Sequence, residues 1–227
     1  MSAYRLEQQR VDIRQFDVLG LDSDAVTHFI RHVGLSTDKK DQFALQDVLA
    51  FTHMGPPLEH GSAPGPAHTI GSVPLNADEI QQVNVFVDER RSEYEANKTR
   101  QQYVIRPHVK PKCETDGTIL YYQFNCAGFV VEAYRFVGIV LLLTGEDVLP
   151  TVPLPVLVAA YPDLRDLLEN ARLRERYNLP GDGPWPVLLA GYVLNALDRD
   201  DIRGATPYRA NLGDEYFPSK RSVPTGN

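Results

Sequence analysis

Several features that mark special classes of protein are missing or scarce in this sequence. Its 227 residues include two cysteines, Cys113 and Cys126, too few for a disulfide framework. The longest apolar run, residues 137–143, is far too short to cross a bilayer, so no integral membrane segment is expected. There is no long basic run, and 23 Lys and Arg stand against 30 Asp and Glu for a formal net charge of −7. That balance argues against nucleic acid or an anionic membrane as the main partner. The start of the chain, Met1-Ser2-Ala3-Tyr4-Arg5-Leu6-Glu7, lacks the apolar core of a signal peptide. A cytoplasmic, reducing setting is expected, with delivery by a dedicated secretion system left open. No internal repeat is visible, and no histidine follows residue 108.

What is present is a strand-like run that turns into an amphipathic helix at a cysteine, Tyr121-Tyr122-Gln123-Phe124-Asn125-Cys126-Ala127-Gly128-Phe129-Val130-Val131. Asn125 is a good N-cap, which puts Cys126 at the first helical position; Phe129, Val130, Ala133 and Val137 then share one face. The positive end of the helix dipole and the unpaired N–H groups of the first turn favour thiolate over thiol there. The competing reading is a thiol that only packs, since free cysteine is among the most buried residue types. Asn-Cys-Ala-Gly-Phe-Val, followed by Glu132-Ala133-Tyr134-Arg135 and Gly138-Ile139, resembles the nucleophile helix of the NlpC-like papain-fold superfamily of cysteine peptidases, amidases and acyltransferases. The match covers under a tenth of the chain.

A cysteine nucleophile needs a base within hydrogen-bond reach, and histidine titrates in the right range. His28, His32, His53, His60, His68 and His108 all precede Cys126, whereas the usual order of the superfamily puts histidine after cysteine. Only its circularly permuted branch, which includes relatives of lecithin retinol acyltransferase, has histidine first. His32-Val33-Gly34-Leu35 is similar to the superfamily's histidine strand, and the resemblance then implies a third polar residue on the next strand, Gln46 or His53. His68, in Ala67-His68-Thr69-Ile70-Gly71 with the acidic-hydrophobic run Asp47-Val48-Leu49 before it, is the alternative base. The spacing of His53, His60 and His68 matches no metal pattern, and no metal or cofactor is expected. Cys113 reads as incidental.

Along the chain, residues 11–21 read as a strand. Residues 24–36 and 42–53 each suit a helix or a strand. The Gly- and Pro-rich residues 54–76 read as loop, and residues 76–100 as an exposed helix capped by Asn76. Residues 103–109 read as a short strand, 118–124 as the lead into the cysteine helix, 162–179 as an amphipathic helix and 186–197 as a second helix. The tail from Arg203 is polar and reads as extended.

The resemblance implies a permuted papain-like α+β fold: an antiparallel sheet packed on the cysteine helix in residues 1–149, a C-terminal helical extension in 150–202, and a tail in 203–227. The activity it implies is hydrolysis of an amide or peptide bond, or of an ester or thioester, through a Cys126 acyl-enzyme. A lipid-type acyltransferase and a non-catalytic binding module remain the other classes.

Overall fold

The computed structural model describes residues 4–5, 14–22, 29–37, 50–55, 58–62, 69–199, 202–203 and 206–216. They form a mixed α+β fold with antiparallel sheets. Six strands, β1 (Tyr4–Arg5), β2 (Val18–Asp22), β3 (Ile30–Ser36), β4 (Ala50–Met54), β5 (Leu58–Ser62) and β6 (Thr69–Gly71), make one sheet in the order β1-β6-β2-β3-β4-β5. Successive side chains on a strand point to opposite faces. Val33 and Leu35 therefore face one side with Val18 and Met54, while His32 and Gly34 face the other with Phe51 and His53. The first of these faces belongs to the main core.

That core is built from α1 (Ala77–Ala96), α2 (Cys126–Phe136) and α6 (Ala190–Leu197), together with a hairpin of β7 (Val109–Cys113) and β8 (Ile119–Phe124). The helix expected to start at Asn76 is α1. Asn76 Oδ1 accepts the Glu79 N–H while Glu79 Oε2 accepts the Asn76 N–H, at 2.9 and 2.8 Å, so two orphan donors of the first turn are satisfied. The core continues without a break into β9 (Thr151–Val152), α3 (Leu154–Ala160) and β10 (Trp185–Pro186). No helix among the described residues is long and apolar enough to cross a membrane.

Several local expectations are corrected. Residues 54–76 hold β5 and β6 in addition to loop, with β5 pairing antiparallel along β4; turn-forming residues mark where a chain reverses and do not exclude strands beside the reversal. The short strand placed at 103–109 begins instead at Val109, with Tyr103 making only an isolated bridge to Phe124. The single helix over 162–179 is broken into α4 (Arg165–Glu169), α5 (Ala171–Arg174) and two 3₁₀ turns. Asn170 is the break: its extended backbone ends α4, and its side chain caps α5 by accepting the Arg172 N–H. The tail beyond Arg203 is packed as far as it is described. Tyr208 bridges Leu142, Tyr216 bridges Phe29, and Ala210 and Glu215 are buried. Where residues 24–36 are described they are strand, as are residues 50–53.

Two glycines let the elements of the site approach one another. A Cβ on Gly34 would lie 2.5 Å from the Phe51 ring and 2.7 Å from His53 Cβ. A Cβ on Gly128 would fall on the backbone carbonyl of His108, so the start of α2 can pass the segment just before β7 only with hydrogen at this position.

Candidate functional site

Asn125 places the cysteine. Its side chain is fully buried, and Oδ1 accepts the Gly128 N–H at 2.6 Å. Its Nδ2 donates to the carbonyls of Ile105 and Leu188, each at 3.1 Å. One amide thus caps α2 and ties it to two distant segments. Cys126 is the first residue of the helix and is buried. Its sulfur lies against the backbone of β3, where the Val33 N–H is the leading hydrogen-bond donor to it, followed by the Ala127 N–H and the Tyr103 hydroxyl. These donors favour thiolate, yet burial outweighs them and raises the thiol above its ordinary range. The expectation of a helix-start thiolate is corrected accordingly: dipole and N–H groups do act on the sulfur, but desolvation of the charged form is the larger effect. Tyr103 and Tyr161 form a buried hydrogen-bonded pair beside the thiol, and the Cys126 N–H is directed at the Tyr103 oxygen. Burial pushes both phenols upward, so both are neutral donors.

The second group begins one residue from Val33. His32 Nε2 and His53 Nδ1 are 2.8 Å apart, with the rings nearly perpendicular at 88°. Phe51 stacks on His53 at 4.7 Å and holds its plane. His53 Nε2 faces Glu59 Oε2 at 3.5 Å, from the position directly opposite it on β5. This sequence of groups selects the tautomers. A carboxylate only accepts, so the Glu59 contact favours the proton on His53 Nε2, with Nδ1 as acceptor. With that assignment His32 carries its proton on Nε2, and its Nδ1 has no hydrogen-bond partner among the described residues. The thiol rests beside the residue next to His32, without a hydrogen bond to either imidazole among the described residues.

The chain matches no known family model, no curated protein and no solved structure.

Of the residues singled out by sequence, the structure joins His32 to His53 and sets Cys126 against the same strand. Gln46 and His68 lie outside the described residues. His108 is engaged elsewhere, with Nε2 at 3.0 Å from Glu132, which also accepts from Arg135. Cys113 is exposed on the hairpin. Sequence reasoning missed Glu59, Tyr103 and Tyr161. Glu59 was legible in principle, because a Gly-Pro-Pro turn after a hydrophobic run announces a returning strand. Tyr103 and Tyr161 come to the thiol from segments 23 residues before it and 35 after it, with no local pattern to mark them.

Burial, with a smaller contribution from His53, lowers the His32 pKa from 6.5 to about 3. The unfolded chain therefore takes up a proton that the folded chain refuses: stability is full above pH 6.5 and declines as pH falls toward 3. Urea unfolding at pH 7 and pH 4.5 should show a loss of roughly 2 kcal/mol from this residue alone. A His32→Gln variant should show correspondingly less pH dependence, and an unchanged slope would contradict the assignment.

Proposed function

We propose that this protein is a thiol hydrolase of the permuted papain-like kind, with Cys126 as nucleophile and His32 as general base. What supports this reading is the contact chain His32–His53–Glu59 on the strand whose Val33 N–H donates to the Cys126 sulfur; His32 projects from the opposite face of that strand, so its side chain must turn before it takes the proton. The raised thiol and lowered imidazole describe a neutral resting pair, so proton transfer accompanies attack instead of preceding it. Sulfur adds to the acyl carbon of an amide, ester or thioester while its proton passes to His32 Nδ1. That proton then leaves on the departing amine, alcohol or thiol, and water releases the acyl group from the thioester. The Cys126 N–H and the Tyr103 O–H, both beside the sulfur, are the donors assigned to the oxyanion. An amine or lipid acceptor in place of water would make the same site an acyltransferase.

A second reading, a binding module with a merely packed thiol, is favoured by the burial of Cys126 and by the absence, among the described residues, of a hydrogen bond from it to an imidazole. Incubation with p-nitrophenyl acetate separates the two. The hydrolase reading expects an acetyl adduct on the Cys126 peptide by mass spectrometry, and steady turnover that Cys126→Ala abolishes. Acetylation confined to Cys113, with turnover intact in Cys126→Ala, would sink it.

A further inference from the structure

The β7–β8 hairpin has two faces of opposite character. Lys110 pairs with Gln123 and Lys112 with Tyr121 across the ladder, and period-two alternation sends all four to one side. Val109, Tyr122 and Phe124 go to the other. The lysine face lines a cleft of about 510 Å³ together with Arg100, Val104, Arg176 and Asn178. Four cationic side chains, Arg100, Lys110, Lys112 and Arg176, therefore line one concavity with a single carboxylate, Glu175.

Such a concentration of positive charge stands out in a chain of net charge −7. Among the described residues none of the four is in an ion pair; Lys110 Nζ donates to the neutral Asn178 Oδ1 at 3.1 Å. Like charges gathered without counter-charges repel one another, and an anion between them removes that cost. A concave wall also concentrates the field. The volume is that of a small-molecule site, too small for an extended acidic peptide. Two guanidinium forks and two ammonium groups lining one cleft match a compact anion with several charged oxygens.

We propose that this cleft binds a small ligand bearing two or more linked phosphate groups. It is a different place from the thiol site. Val104 lines the cleft while its neighbour Tyr103 turns to Cys126, so the extended segment that carries both is the wall between them.

Calorimetric titration with inorganic tripolyphosphate and, separately, with ATP tests the proposal. Binding is expected for tripolyphosphate, weaker for orthophosphate, and falling as sodium chloride is raised. Equal affinity for ATP identifies a bare oligophosphate site; tighter ATP binding adds a nucleoside seat; either result supports the assignment. The Lys112→Gln/Arg176→Gln pair should lose at least about tenfold in affinity, whereas Arg91→Gln, on α1 and outside the cleft, should lose little. A second readout needs no variant: Cys113 is exposed and lines the cleft, so tripolyphosphate should slow its modification by a maleimide. Absence of binding by both phosphates, an equal loss in Arg91→Gln, or unprotected Cys113 in the presence of saturating ligand would overturn it.

Discussion

Replacing His32 by Asn is expected to slow acylation of Cys126 at neutral pH by about 10²-fold, the low end of a positioned general base's contribution, because burial lowers the imidazole pKa to about 3. The size follows from the state of the thiol. Burial raises its pKa above the free-cysteine range, so at neutral pH the sulfur holds its proton and attack needs a group to take it. Nδ1 of His32 is the proposed acceptor, since the contact with His53 uses Nε2 and Nδ1 has no partner among the described residues. Asparagine retains polarity and approximate size at this position while removing the base. His53→Gln is expected to have a smaller effect, because it perturbs the tautomer and orientation of His32 without removing the acceptor. The rate of iodoacetamide alkylation at graded pH supplies the control: in the wild type it should climb into the alkaline range and depend on His32. Equal alkylation of Cys126 in wild type and His32→Asn at every pH would end the catalytic assignment. A loss in His68→Asn with none in His32→Asn would move the base to His68.

The largest effect on stability is expected at Asn125. In Asn125→Ala the helix loses its cap, and the carbonyls of Ile105 and Leu188 lose a buried donor. A missing cap costs about 0.5–2 kcal/mol and each stranded buried acceptor about 1–3, for a total of about 3–5 kcal/mol by urea unfolding. Asn125→Ser separates the contributions. Its hydroxyl can still cap α2 but cannot replace the two-pronged donation of Nδ2, so it should fall between wild type and the alanine variant. If alanine costs under about 1 kcal/mol, solvent or neighbouring groups satisfy those carbonyls and the amide is not the tie described. Because Cys126 is the next residue, loss of this tie should also raise the accessibility of its thiol to alkylating reagents.

Residues 76–97 and 119–136 show how much was legible locally. Asn76 and Asn125 are both capping residues followed by helical patterns, and both caps form as read, since a cap depends on groups within three or four positions of one another. Residues 162–179 show the limit. Apolar spacing there suits one helix, yet Asn170 interrupts it, its side chain capping a new helix instead of continuing the old one. The ambiguity over residues 24–36 and 42–53 has the same origin: short apolar runs fit either period, and neighbouring strands, absent from any local window, decide. His32 and His53 were candidates by type and order, but their hydrogen bond depends on β3 and β4 lying side by side.

By itself, then, the amino-acid order determined that a thiol opens a capped helix and that every histidine lies before it, because capping and chain order are local properties. The tertiary structure decided the ionisation of that thiol and the company it keeps. Desolvation by the packed core outweighs the helix-start donors at Cys126, and Glu59, Tyr103 and Tyr161 reach the site only through strand pairing and packing across long separations.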